Sequence, residues 1–279
     1  MDEDFGSMKR ILNSGAGGVV TKSIGLKEKK GYENPTLIEL EHGILNAMGL
    51  PNPGIENFKE EILNLKKLNK PVIGSIYGSN SEEFTILARK MQEYGASAIE
   101  LNLSCPHAKG YGIEIGSDPK IVKEIVLNVK KQIKIPVFVK ISSNIINILE
   151  IAKEIENAKA DAIVAINTVK AMKIDILLKK PVLSNKIGGY SGPAIKPIGI
   201  RCVYEIFKNS NIPIIGCGGI SNGKDAVEYL MAGASALEIG SAVYYREIDV
   251  FKKICNEIKK WMKENNYKDI KEIIGAAHK

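Results

Sequence analysis

Short apolar stretches alternate along the chain with longer stretches of helical periodicity. Apolar, β-branched runs predict seven strands, over 17–22, 71–78, 97–104, 136–142, 161–168, 212–219 and 235–241. Between them, patterns such as SEEFTILARKMQEYGA, DPKIVKEIVLNVKKQI and GKDAVEYLMAGA predict amphipathic helices. Strands that are apolar on both faces and alternate with helices are typical of a parallel sheet that is covered on both sides. The pattern therefore predicts an α/β fold built from βα units.

Polar residues and glycines recur at the carboxyl ends of these strands. This favours a closed (β/α)8 TIM barrel over an open sheet, because barrel active sites form at those ends. Seven strands are one too few for such a barrel, and the chain opens almost directly into the helical pattern DFGSMKRILNSGA. We therefore expect the first barrel strand to be missing from this chain, through a misassigned start or a truncation. Two longer stretches, 27–54 and 170–197, have hairpin-like patterns and are expected to border the substrate site.

Length, composition and charge favour one cytoplasmic domain over residues 1–279. No apolar run approaches the ~18 residues of a membrane span, and no signal-peptide pattern opens the chain. The net charge of +7 arises from lysines that alternate with glutamates on helical faces, which indicates solvated surfaces rather than a nucleic-acid site. The surplus charge favours an anionic substrate or an acidic partner. The four cysteines lack metal or cluster spacing, so we expect no metal site.

The ends of the last two predicted strands suggest a phosphate site. IIGCGGI and LEIGSAV place Gly218, Gly219, Gly240 and Ser241 there. Backbone amides without a Cβ in the way can cradle a phosphate, and a mononucleotide cofactor is the natural occupant. A simple tight turn is the alternative for either glycine pair alone.

Lys22 and Lys140 each close an apolar strand, in VVTKS and VFVKIS. One interpretation is that each ammonium group reaches the rim of the barrel and lies in water. The other is that both face one pocket, because a buried lysine needs an anionic or strongly polar partner. The edge of a reduced flavin that gathers negative charge is such a partner.

Carboxamides and a thiol also lie at strand ends. Asn46, Asn102 and Asn167 either cap loops or converge on a planar ring with imide groups, such as a pyrimidine. Cys105 lies in the loop that follows Asn102. It is either a small buried apolar residue or a general base beside a flavin.

Several ordered segments together resemble the dihydroorotate dehydrogenase family. They are GAGGVVTKSIG, NAMGLPNPG, ELNLSCPH, VFVKIS, AINTVKAMKID, IGGYSGPAIKP and IIGCGGISNGKDAVEYLMAGASALEIGSA, and the similarity runs from Asp4 onward. The stretch that starts at Asn167 is most similar to the NAD-linked class 1B subgroup. The membrane-bound, quinone-using class is disfavoured, because it has an added N-terminal extension and a serine as base.

The resemblance implies roles for individual residues. Cys105 would remove a proton from C5 of dihydroorotate while a hydride leaves C6 for N5 of FMN. The substrate would be bound by Lys22, Asn46, Ala47, Met48, Gly49, Leu50, Asn102, Asn167 and Thr168. The FMN would be bound by Lys22, Ser23, Asn102, Lys140, Ile166, Gly192, Gly218, Gly219, Gly240 and Ser241.

The resemblance also implies a pathway and partners. The activity would be the oxidation of dihydroorotate to orotate in pyrimidine biosynthesis, with electrons passed to NAD. A partner subunit would carry FAD and a [2Fe-2S] cluster, and a homodimer of catalytic chains would join two such partners in a heterotetramer. The lack of a dinucleotide GxGxxG motif here agrees with that division of labour.

Two positions depart from the family pattern, and other functions stay open. His107 and Ser75 stand where many members carry asparagine, and we interpret His107 as a polar loop residue rather than a second base. SCPH also resembles the pyrimidine-reducing domain of dihydropyrimidine dehydrogenase. A fumarate-linked class 1A dihydroorotate dehydrogenase and a truncated, non-catalytic remnant are the remaining alternatives.

Overall fold

The computed structural model describes residues 4–105 and 110–279. Its strands are β1 (Val19–Val20), β2 (Leu37–Leu40), β3 (Gly43–Asn46), β4 (Val72–Ile76), β5 (Ala98–Asn102), β6 (Val137–Ile141), β7 (Ala162–Ala165), β8 (Val169–Ala171), β9 (Ile174–Asp175), β10 (Lys180–Pro181), β11 (Gly188–Ser191), β12 (Ile214–Cys217) and β13 (Ala236–Glu238). The α-helices are α1 (Phe5–Asn13), α2 (Lys59–Lys66), α3 (Ser81–Tyr94), α4 (Ile113–Gly116), α5 (Pro119–Gln132), α6 (Ile148–Asn157), α7 (Lys196–Asn209), α8 (Gly223–Met231), α9 (Ala242–Arg246) and α10 (Val250–Glu264). Short 3₁₀ helices span Pro193–Ile195, Ile270–Glu272 and Ala276–His278.

The central element is a parallel sheet in the order β1-β4-β5-β6-β7-β12-β13, seven strands in the described part of the chain. Each predicted strand contributes one of them, and all neighbours pair in parallel. The predicted α/β barrel fold is confirmed. Within the described ranges, β1 pairs only with β4 and β13 only with β12, so the sheet is open between these two strands.

The helices cover the outer face of this sheet because their apolar stripes pack against the apolar side chains of the strands. α3 begins at its N-cap Asn80, whose side chain accepts a hydrogen bond from the Glu83 backbone, and it ends at Gly95. α5 begins after Asp118, which caps it in the same way. None of the helices in the two described ranges is long and apolar enough to cross a membrane.

The two long stretches predicted to carry hairpins form a second, antiparallel sheet in the order β2-β3-β11-β8. β3 comes from the first stretch, and its partner β11 comes from the second. A small core of Leu45, Ala47 and Leu183 holds the two stretches together. β9 and β10 form a separate hairpin that projects the exposed apolar residues Ile176 and Leu177. The antiparallel sheet therefore fixes the ends of β3 and β11, where Asn46 and Gly192 lie.

Candidate active site

A row of hydrogen-bonded polar side chains runs across the carboxyl ends of the parallel strands. The Asn102 amide donates to Ser23 Oγ at 2.9 Å, and Ser104 Oγ donates to Asn102 Oδ1 at 2.8 Å. The Asn167 amide donates to Ser104 Oγ at 2.8 Å. At the other end, the Ser23 and Ser75 hydroxyls are 2.9 Å apart. The fold thus joins residues from four strand ends into one network, which includes three predicted site residues.

Cys105 directly follows this row and is 5% exposed. Its carbonyl accepts a hydrogen bond from the Ile113 backbone at 3.1 Å. Gly112 has a φ of +57°, and a Cβ added there would lie 2.6 Å from the Cys105 Cβ. Only glycine fits such a close approach in this backbone region. The loop therefore packs tightly against the thiol-bearing residue; predicted position His107 lies outside the described residues.

The loop after β3 carries the predicted substrate residues Asn46, Ala47, Met48, Gly49 and Leu50. The Asn46 amide donates to the Gly189 carbonyl at 3.3 Å, which ties the loop to β11. The Met48 carbonyl accepts from the Tyr32 backbone at 3.0 Å. Burial, and then the nearby Cys105, raise the pKa of Tyr32. The Tyr32 backbone therefore anchors the substrate loop.

The predicted phosphate glycines fall into two contact groups. A Cβ added at Gly219 would lie 2.8 Å from the Gly192 carbonyl oxygen, so these two glycines touch. A Cβ at Gly218 would lie 3.4 Å from Ile166 Cγ1, and the Ile166 backbone donates to the Cys217 carbonyl at 2.8 Å.

Gly240 lies apart from these contacts. A Cβ added there meets no heavy atom within 4 Å among the described residues. Ser241 immediately precedes α9, and its residue is partly buried. The end of β13 therefore leaves room for a group that lies against its backbone.

Lys140 does not extend to the rim. Its Nζ lies 2.5 Å from Glu238 Oε2 and 3.9 Å from Glu100 Oε2, and the three side chains are 16%, 16% and 3% exposed. Glu100 Oε1 accepts from the Ser75 hydroxyl at 3.3 Å. Lys140, Glu100 and Glu238 form a charged cluster. Since Ser75 also contacts Ser23, this charged cluster adjoins the polar row. Lys22 is half-buried directly before Ser23, and Thr168 follows Asn167, whose Oδ1 accepts from the Thr168 backbone at 2.6 Å.

The pKa values of Glu100 and Lys140 in the charged cluster are shifted far from their usual values. Burial, and then the neighbouring Glu238, raise the pKa of Glu100 to about 8, although Lys140 opposes the shift. Burial disfavours the charged form of Lys140, but Cys217, and then Glu100 and Glu238, outweigh it and raise its pKa well above the usual value. Burial raises the pKa of Cys217 to about 12, so its thiol is neutral near pH 7. The Glu238 carboxylate, 2.5 Å away, is the nearest negative group to the ammonium.

Glu100 and Glu238 were not predicted as members of this candidate site. Each is a single acidic residue inside an apolar strand pattern, in SAIELNLS and SALEIGS. A charged residue in a buried strand needs a partner, so these positions did carry a usable signal. Their common partner, Lys140, lies on a third strand.

The comparisons with known proteins agree with this geometry. Residues 1–262 match the dihydroorotate dehydrogenase family model. The chain is 54% identical over 279 residues to the dihydroorotate dehydrogenase B (NAD(+)), catalytic subunit, of Thermoplasma volcanium, covering 100% of this chain and 92% of the relative. The protein of the same name from Pyrococcus abyssi is 55% identical over 272 residues, or 98% of this chain and 90% of the relative.

A solved structure gives the same fold. A crystal structure of DHODH from Eimeria tenella in complex with ferulenol superimposes with a TM-score of 0.85 at 20% identity, over 100% of this chain and 83% of that one. At this identity the likeness concerns the fold alone. The family match and the identities to full-length relatives carry the assignment: the chain belongs to the dihydroorotate dehydrogenase family.

Proposed function

We propose that this protein oxidises dihydroorotate to orotate in pyrimidine biosynthesis as the catalytic subunit of an NAD-linked enzyme. The names of its relatives support this activity. The observation that carries the proposal is the polar row Ser23–Asn102–Ser104–Asn167, which leads directly to the buried Cys105.

The residues present fit a bound FMN. The ring would be held by Lys140, Ser23 and Ile166, together with Lys22 and Asn102. The ribityl chain and phosphate would be held by Gly192, Gly218, Gly219, Gly240 and Ser241, and the open space beside Gly240 supports this assignment. When bound, FMN supplies a two-electron acceptor for the hydride of the substrate.

The chain's own residues bind the substrate and move its proton. Oxidation of dihydroorotate breaks two C–H bonds: the C6 hydrogen leaves as a hydride and the C5 hydrogen as a proton. Sγ of Cys105 accepts the proton from C5, which leaves the electron pair of that bond to form the C5=C6 double bond. The carboxamides of Asn46, Asn102 and Asn167 orient the imide groups of the ring. Because Cys105 is buried, bulk water does not compete for the proton.

The phrase "catalytic subunit" in the relatives' names supports a second subunit. We propose that this partner carries FAD and a [2Fe-2S] cluster and passes the electrons to NAD, in a heterotetramer built on a homodimer of catalytic chains. A cytoplasmic location and a single FMN-binding domain over residues 1–279 also stay predictions.

The test is anaerobic reduction of the bound flavin. The purified chain, reconstituted with FMN, is mixed with dihydroorotate, and the loss of flavin absorbance is followed by stopped flow. We expect rapid bleaching by dihydroorotate, no response to dihydrouracil, and a rate about 10²–10⁴-fold lower in Cys105→Ala.

The matched control is Cys255→Ala, since Cys255 is a free, exposed cysteine on α10. It should bleach at the wild-type rate. Bleaching by dihydrouracil alone would favour the pyrimidine-reductase alternative. Failure to bind FMN would overturn the proposal, and transfer of electrons to fumarate without a partner would indicate the class 1A alternative.

A further inference from the structure

Two carboxyl groups on the inner face of the sheet have no part in the reaction as proposed. Glu100 from β5 and Glu238 from β13 both face Lys140 of β6, at 3.9 Å and 2.5 Å from its ammonium nitrogen. All three side chains are at least four-fifths buried. Two buried carboxyl groups thus share one cation.

The net charge of Lys140, Glu100 and Glu238 together is zero when one of the two carboxyl groups is protonated. Glu100 Oε2 is buried and receives no hydrogen bond from a donor among the described residues. Glu100 is also within hydrogen-bonding reach of Glu238. A proton on Glu100 would be donated to Glu238 and would leave one carboxylate against one ammonium, because like charges at contact cannot both stay ionised in a buried site. The raised pKa of Glu100 agrees with one carboxylate and one ammonium in the cluster.

The same lysine is the residue expected beside the flavin. An ammonium group near the flavin ring stabilises the negative charge that a hydride adds to it. When Glu238 neutralises that ammonium at 2.5 Å, the stabilisation is weakened. Glu238 therefore competes with the reduced cofactor for the charge of Lys140.

We propose that Glu238 is a positioning residue that acts through Lys140 to set the redox potential of the bound flavin. Glu238 holds the ammonium in place and lowers the potential by offsetting its charge, while Glu100 stores the proton that keeps the cluster neutral. The inference rests on the proposed function, because it requires FMN beside Lys140.

The Ser75 and Ser23 hydroxyls couple this cluster to the site. Ser75 Oγ donates to Glu100 at 3.3 Å and lies 2.9 Å from Ser23 Oγ, which in turn accepts from Asn102. A continuous chain of hydrogen bonds therefore connects the charged cluster to the polar row that leads to Cys105.

The experiment measures the midpoint potential of FMN bound to the full chain, by dye equilibration under anaerobic conditions. Glu238→Gln keeps the shape of the side chain and removes its charge. We expect the ratio of affinities for reduced and oxidised FMN to rise at least tenfold, a positive shift of about 30 mV for a two-electron couple. Lys140→Met should shift the potential in the opposite direction.

The matched control is Glu205→Gln, which removes the same charge from an exposed ion pair with Arg201 on α7. Its potential should equal that of the wild type. Glu238→Asp, which keeps the charge, should restore a potential near the wild-type value. If Glu238→Gln does not fold, Glu238→Ala carries the same expected shift.

The pH dependence supplies a second readout. The charged and titratable groups that face Glu100 are Lys140, Glu238 and Cys217, beside the Ser75 hydroxyl. Loss of the Glu100 proton at alkaline pH adds a negative charge, so the wild-type potential should fall more steeply there than that of Glu100→Gln.

The outcomes separate this inference from the proposed function. Flavin-loaded Glu238→Gln or Glu238→Ala with a wild-type potential would overturn the inference and leave the proposed function intact. A wild-type chain that binds no FMN would overturn the proposed function, and the inference with it.

Discussion

The two faces of β5 are equally buried and chemically opposite. On the outer face, Ile99 and Leu101 are 0% exposed and pack in the main apolar core. On the inner face, Glu100 and Asn102 are 2% and 7% exposed, yet both are polar. Burial alone therefore does not identify a site in this fold. The polarity of the buried residues does.

The two faces differ because successive side chains of a strand point to opposite sides. The outer side chains meet the helices and contribute the stability of apolar burial, about 25 cal/mol for each Å² removed from water. The inner side chains incur a desolvation cost, which hydrogen bonds and ion pairs offset only in part. We therefore expect outer-face substitutions to change stability alone and inner-face substitutions to change function as well.

The largest expected loss of stability follows truncation on the outer face. Leu101→Ala leaves a cavity against the helices and should lower the free energy of unfolding by about 2–5 kcal/mol. Denaturant unfolding measures this loss. The rate of flavin reduction by dihydroorotate, per flavin-loaded folded chain, should stay within about twofold of the wild type, as we assign Leu101 no role in the site. A much slower reduction would show that the two faces are not separable.

A smaller stability loss, with a large functional effect, should follow truncation on the inner face. Asn102→Ala removes the acceptor of Ser104 and the donor to Ser23. We expect a loss of about 1–3 kcal/mol, because the two hydroxyls lose buried partners. Flavin reduction should slow at least tenfold, as the ring loses an orienting carboxamide. Unfolding curves and stopped-flow traces of the same preparation give both values.

The pH dependence of stability tests whether Glu100 is protonated in the folded chain. Its pKa rises from the usual 4.5 to about 8 on folding. Between these values the native state holds a proton that the unfolded chain has lost, so this group's contribution to stability falls as pH rises. The slope is at most about 1.4 kcal/mol for each pH unit.

Glu100→Gln should abolish this contribution. The wild-type unfolding free energy should therefore fall relative to that of the variant from pH 5 towards pH 8, and chemical denaturation across this range measures it. A wild-type stability that stays constant or rises relative to Glu100→Gln over this range would show that Glu100 is ionised when folded.

The smallest effect is expected at the N-cap of a covering helix. Asn80→Ala removes the side-chain cap of α3 and should cost about 1 kcal/mol. It should leave the midpoint potential of bound flavin unchanged, because Asn80 is exposed and has no contact with the polar row in the described structure. Thermal unfolding and potentiometry of one preparation check both expectations.

Much of the fold was predictable from local patterns. The seven β-branched runs each yielded a parallel strand, because a strand buried on both faces has a distinctive composition. The hairpin-like stretches 27–54 and 170–197 were also interpreted correctly, but their union into one antiparallel sheet was not predicted. That union depends on a pairing between β3 and β11, which are far apart in the chain, and local periodicity carries no information about it.

The candidate site also has a part that local sequence predicts and a part that depends on long-range contacts. Asn102, Ser104 and Cys105 are neighbours in sequence at one strand end, so their proximity followed from the sequence. Lys140 was expected beside an anionic cofactor edge, and its pairing with two glutamates on other strands was not predicted. The role of Cys105 as base stays a prediction from family resemblance.

Local sequence patterns were enough to indicate which segments are buried strands, which are covering helices, and which strand end carries a thiol beside a carboxamide. These properties depend on the composition and period of a few consecutive residues. The contact of Glu238 with Lys140, 98 positions earlier in the chain, and the presence of Glu100 beside them depend on how the whole chain folds. A buried charge needs an opposite charge nearby, and the folded sheet brings β13 to β6 across its inner face although β7 and β12 lie between them in the strand order.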